Sequence, residues 1–237
     1  MSLAALDRDA RATGLAIRGA FHPAPGNAVP EGAGTLILLG PDEPGFWPEF
    51  RRSPEYSDDA PHPLDRWSRR VIGALAARWG SMAVFPADGP PWPPFLSWAA
   101  RSGQAFPSPI GLYVHARAGL WISYRGAVAL PGRLELPQPS APPCPACAGH
   151  PCASACPVGA LSTGAPYDVA RCQSYLRTEA GRDCRERGCL ARRACPISAT
   201  LPRQDEQSAF HMAAFMEDWP TGTAPETDRA GKKGEPA

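Results

Sequence analysis

The apolar positions of this chain repeat with two different periods, and the two periods define its first half. Residues 2–13 place Leu3, Leu6 and Ala10 on one helical face, with Gly14 as the stop. Leu64, Trp67, Val71, Ile72, Leu75 and Trp79 predict the clearest helix, begun by Pro63 and closed by Gly80. Two short unbroken apolar runs, 35–39 and 81–85, read as buried strands. Strand, helix, strand in series predicts a crossover in an α/β layer. A short helix is expected over 95–101 and another over 110–118, ending at Gly119. Residues 120–124 and 127–130 read as a hairpin around Arg125-Gly126. Residues 41–63 and 86–94 are proline-rich and read as loops. A last helix is expected over 208–217, and the polar tail 221–237 is expected to be disordered.

Composition changes this picture in one respect. Thirty prolines and twenty-three glycines in 237 residues, about a fifth of the chain, imply many loops. A net charge of +1 gives no bulk attraction to nucleic acid or to a membrane surface. No run is long enough to span a bilayer, and the N-terminal residues lack the basic start and apolar core of a signal peptide. The expected compartment is the cytoplasm.

The chemistry is concentrated between Cys144 and Pro196. All eight cysteines, Cys144, Cys147, Cys152, Cys156, Cys172, Cys184, Cys189 and Cys195, lie there, and Cys156 and Cys195 each precede a proline. Disulfides need an oxidising compartment, so metal is the better reading. Eight thiolates could close two zinc sites. The spacing C-x2-C-x4-C-x3-C-P is instead a loosened form of the bacterial two-cluster run, in which the fourth cysteine serves the other cluster. Two [4Fe–4S] clusters are the favoured expectation, with zinc as the alternative. A stiff linker, 137–143, separates this segment (144–200) from residues 1–136.

Cys-Pro-Ala-Cys (144–147), Ala-Cys-Pro-Val-Gly-Ala-Leu (155–161), Arg-Cys-Gln-Ser-Tyr-Leu (171–176), Gly-Cys (188–189) and Ala-Cys-Pro (194–196) resemble the double-cluster ferredoxin domain of epoxyqueuosine reductases. The resemblance implies one cluster on Cys144, Cys147, Cys152 and Cys195, and a second on Cys156, Cys172, Cys184 and Cys189. Two spacings depart from it: Cys147 to Cys152 is longer, and the last group reads C184-x4-C189-x5-C195-P. Ala-Arg-Ala-Gly-Leu-Trp (116–121) carries a weaker likeness, which implies an α+β chain: a nitroreductase-related α/β layer of the cobalamin-binding kind, followed by the ferredoxin-like segment. The family's proposed acid, an Asp before Ser-x-Pro, has no counterpart in Ala105-Phe-Pro-Ser-Pro109. Its frequent C-terminal helical-repeat domain is also not found. Epoxyqueuosine reduction itself is therefore not expected. Electron transfer to a redox partner protein is the first functional expectation, and a corrinoid-dependent or corrinoid-processing reductase is the second.

Other residues have two readings each. None of His22, His62, His115, His150 and His211 shows metal spacing with another histidine, and His150 could donate to a cluster sulfur. Seven arginines in 171–193 offset the roughly −2 charge of an oxidised cluster, or form a docking patch for tRNA or an acidic partner. Trp67 and Trp79 are assigned to the core; Trp92 and Trp98 are the candidates to line a flat cofactor pocket.

Overall fold

The computed structural model describes residues 2–217. It is a mixed α and β chain built on a four-stranded sheet. The strands are β1 (Leu15–Phe21), β2 (Thr35–Pro41), β3 (Met82–Val84) and β6 (Gly126–Leu130), in the order β1-β2-β6-β3. A two-stranded ribbon, β4 (Ala105–Pro107) with β5 (Tyr113–His115), stands apart from it.

β2 is buried at every position because both faces of the sheet are covered. Its side chains alternate between two cores. Ile37 and Leu39 join Leu15, Val128 and Leu130 beneath α1 (Leu3–Arg11), α2 (Phe46–Arg51) and α4 (Pro63–Arg78). Leu36 and Leu38 join Phe21, Val84, Ala127 and Ala129 beneath α5 (Phe95–Arg101). α4 presents Leu64, Trp67, Val71, Ile72 and Leu75 to the first core, as its periodicity predicts.

Several expectations are corrected. The runs 35–39 and 81–85 do give parallel strands, but they are not neighbours. β6 lies between them and is antiparallel to both, so no parallel pair forms. The expected helix over 110–118 is the turn and second strand of the β4–β5 ribbon. Gly111 has φ +77, which a helix interior does not allow, and Ser108 N–H donates nothing to a helix: it bonds to Leu112 O at 2.9 Å across the turn. Of the expected 120–130 hairpin only β6 is a strand, and its partners are β2 and β3. β1 was hidden in the sequence by Arg18-Gly19, which sits at a bulge opposite β2. Two helices, α2 and α3 (Pro54–Ser57), occupy the proline-rich stretch 41–63.

The last described helix, α10 (Asp205–Glu217), packs back on the first half. Phe210 sits 5.4, 5.5 and 6.4 Å from the rings of Trp47, Phe50 and Tyr56. Gln207 donates to Glu43 at 2.7 Å. The expected tail 221–237 lies outside the described residues. No helix among the described residues is long and apolar enough to cross a membrane.

His115 pins the ribbon to the sheet. Its Nδ1 accepts from the N–H groups of Arg117 and Ala118, both at 3.0 Å, so its Nε2 carries the proton and donates to Arg18 O at 2.9 Å. Burial lowers its pKa from 6.5 to about 4. Below pH 6.5 the unfolded chain therefore takes up a proton that the folded chain refuses. Stability should fall between pH 6.5 and pH 4 by up to about 1.4 kcal/mol per pH unit from this group. Urea titrations across that range should show a shallower decline for His115→Gln than for the wild type. An equal slope in the variant would place the loss elsewhere.

Candidate metal centres

The eight cysteines are all free thiols and fall into two sets around two separate hollows. Cys144, Cys147, Cys152 and Cys195 border a cavity of about 410 Å³. Cys156, Cys172, Cys184 and Cys189 border a narrower one. No cysteine borders both, and none is left out.

In the first set, local turns aim the thiols. Residues 144–146 and 151–153 each form a single 3₁₀ turn. His150, in the left-handed region at φ 41, bends the chain between them, and its Nε2 lies 3.0 Å from Cys144 O. The imidazole therefore engages a backbone carbonyl of the loop, where the sequence suggested a cluster sulfur. Cys195 arrives from the far end of the segment, as the residue before α9 (Pro196–Ala199). Pro196 occupies the first turn of that helix, where its missing N–H leaves no donor unpaired.

The second set is spread over two helices, the residue that caps a third, and a loop. Cys172 lies on α6 (Val169–Leu176), whose N-cap Asp168 accepts from Arg171 N–H at 2.9 Å. Cys184 lies on α7 (Arg182–Arg187), and Cys189 precedes α8 (Leu190–Arg193). Gly188, at φ 84, makes the sharp turn that brings Cys189 back toward Cys184.

The electrostatics follow the same division. Burial raises the Cys144 and Cys152 thiols, and the added repulsion comes from Cys195 and Cys147 and, for Cys144, from Cys152. Burial also raises Cys172 and Cys184; Cys189 repels both, and Cys156 and Cys184 add to the effect at Cys172. Four thiolates gathered in one place are unfavourable unless a cation shares their charge. Hydrogen bonds already point at sulfur: Tyr167 donates to Cys172, and Leu190 N–H to Cys184.

The donor sets fit iron–sulfur clusters on further grounds. Apart from the thiols and Tyr175, the second hollow is lined by apolar side chains such as Val158, Leu161 and Leu176. The first is bordered by the Ser108 hydroxyl, which is buried without a partner and is free to donate to a sulfide. Among the described residues, no three His, Cys, Asp or Glu side chains close on a single metal-ion position.

The arginines of 171–193 are largely engaged within the segment. Arg171 pairs with Asp168, Arg182 with Glu179 and Glu186, Arg187 with Asp183 and Asp205, and Arg193 with Asp183. Arg185 donates to the carbonyls of Leu176 and Thr178. The residues singled out for a flat cofactor cleft do not make one. Trp98 is fully buried in the second sheet core with its Nε1 donating to Asn27 O at 2.7 Å, and Trp92 is 63% exposed. With one ring in the core and the other open to solvent, the pair does not fit a corrinoid.

Sequence reasoning missed what joins the two halves. Ile110, Val114 and Leu120 pack with Cys152, Leu161, Ala191 and Cys195 in a third core. At its edge Leu120 N–H donates to Ser198 Oγ at 2.8 Å. Gly119, at φ +58, lets the chains meet: an added Cβ would lie 2.5 Å from both Ser198 N and Oγ. Gly111→Ala, with open space around it, carries only the strain of its φ, about 1 kcal/mol. Gly119→Ala should cost a further 1–3 kcal/mol or so and should expose Cys195 to thiol reagents. Denaturation of the two variants measures the difference, and equal losses would show that the contact yields freely.

No protein-family model, no curated protein and no solved structure matches this chain.

Proposed function

We propose that this chain is an electron-transfer protein carrying two [4Fe–4S] clusters, one on Cys144, Cys147, Cys152 and Cys195 and one on Cys156, Cys172, Cys184 and Cys189. The observation that carries the reading is the division of eight free thiols into two disjoint sets of four with none left over. A zinc site would need four thiolates about 3.8 Å apart around one ion, given bonds of 2.3 Å. Thiolates that each hold a different iron of a cube are spaced more widely. When bound, such clusters accept and release single electrons. The chain's own groups then act on potential: the Tyr167 hydroxyl and the Leu190 N–H offset thiolate charge, and the apolar lining excludes water. In the same reading the sheet with helices on both faces corresponds to the nitroreductase-related layer. A redox protein is the expected partner, and the cytoplasm the expected compartment.

Anaerobically purified protein should contain about eight iron and eight sulfide per chain. Colourless protein holding two zinc ions would refute the proposal. Cys195→Ser should alter the same paramagnetic signal as Cys144→Ser, and Cys156→Ser the same signal as Cys172→Ser. If Cys195→Ser disturbed the signal shared by Cys156 and Cys172, the crossed arrangement would be wrong.

Tyr167→Phe should lower the potential of the second cluster and leave the first unchanged. The shift should be on the order of 50 mV, because about 59 mV corresponds to 1.4 kcal/mol for one electron and a hydrogen bond to a charged group is worth about that much. Redox titration followed by electron paramagnetic resonance measures it.

A further inference from the structure

A cavity of about 250 Å³ lies between the second cysteine set, the irregular stretch before β6, and α10. Cys172 and Cys189 form part of its wall. Three guanidinium groups border it: Arg125, Arg192 and Arg203.

Their charges are incompletely balanced. Arg203 pairs with the buried Glu43 at 3.3 Å and lies 4.7 Å over the Trp121 ring. Among the described residues Arg125 pairs only with Asp65, 3.7 Å away and largely exposed, and its Nε is buried without a hydrogen-bond partner. Arg192 donates to Leu120 O at 2.9 Å and has no carboxylate within ion-pair distance among the described residues. Of the three, Arg203 alone has a buried carboxylate beside it among the described residues.

His211 reports the resulting field. It borders the cavity from α10, and its ring makes no hydrogen bond among the described residues. Burial first, and then Arg203, Arg125 and Arg192, hold its pKa down to about 3. A neutral imidazole beside three guanidinium groups can donate a hydrogen bond without needing a counter-ion.

We propose that this cavity binds a small oxyanion, a carboxylate or a phosphate, held by Arg125, Arg192 and Arg203 next to the second cysteine set. The planar fork of arginine matches both groups, and charge-assisted bonds of this kind are the strong ones. The volume suits a short-chain acid or a small phosphate ester and is below the usual range for drug-sized ligands. The site goes beyond electron transfer, since it gives the chain a small-molecule ligand. Binding rests on the arginines, and does not depend on the metal at the cysteines being iron.

The competing role for the same arginines is to offset cluster charge alone. Calorimetric titration of the anaerobically purified full-length protein with inorganic phosphate and, separately, with succinate separates the two. One of the probes should bind with a one-to-one stoichiometry. Arg192→Gln should weaken that binding roughly tenfold or more, the loss expected of one charge-assisted hydrogen bond. Arg69→Gln, on the outer face of α4 beside Asp88, should leave it unchanged. Arg125→Lys keeps the charge, loses the fork, and should weaken it to a lesser degree. Iron content and circular dichroism of each variant separate lost binding from lost folding. If neither probe binds the wild type, or if binding survives unchanged in both Arg192→Gln and Arg125→Lys, the site does not exist. Equal phosphate and succinate affinity would identify a general oxyanion site, and preference for one would name its class; each supports the proposal. Iron analysis alone decides the cluster reading, so the two proposals fail separately.

Discussion

Thiolates repel one another, and the second half of this chain is arranged around that fact. Burial and mutual repulsion raise Cys144 and Cys152 in one set and Cys172 and Cys184 in the other, so gathering their thiolates is unfavourable unless a positive charge shares the site. The crossing of the chain makes the two hollows interdependent. Cys195 closes the set begun by Cys144, while everything from Cys156 to Cys189 is looped out to build the other. The third core, in which Cys152 and Cys195 touch Ile110, Val114 and Leu120, then fastens this loop to the ribbon β4–β5.

Much of this was legible in the residues, and for physical reasons. α4 declares itself because one face must meet the sheet continuously for four turns. β2 declares itself because burial on both faces demands an unbroken apolar run. The division of cysteines could be drawn only from a resemblance, since spacing alone does not say which loop turns back. What escaped detection had other causes. β1 contains Arg18 and Gly19, which break the apolar pattern, yet Arg18 is buried there with its guanidinium on Pro41 O. α2 lies in a proline-rich stretch where three aromatic rings, Phe46, Trp47 and Phe50, outweighed the breakers. Residues 110–118 carry apolar spacing that suits a helix, but Gly111 and the β4 partner decided otherwise.

Polar chemistry was the least legible part. Arg125 lies far in sequence from Arg192 and Arg203, and nothing in their spacing brings the three together. They become neighbours where the stretch before β6 meets the cysteine segment. Seven arginines in one segment suggested compensation of cluster charge or a docking patch; most of them bond to nearby acids and carbonyls. Such exposed pairs contribute little stability individually, so their value lies in holding short helices in register.

The seat of Phe210 among Trp47, Phe50 and Tyr56 bears on how the chain is made. During synthesis the sheet and α4 emerge first, with one side of their aromatic cluster uncovered. The covering helix follows only after the entire cysteine segment has left the ribosome. Contacts this distant in sequence form late and slowly. For that interval the nascent chain carries an open apolar face together with eight reactive thiols, and both are vulnerable at the same time. Closure of the first-half core thus waits for the arrival of one thirteen-residue helix, made after the last cysteine.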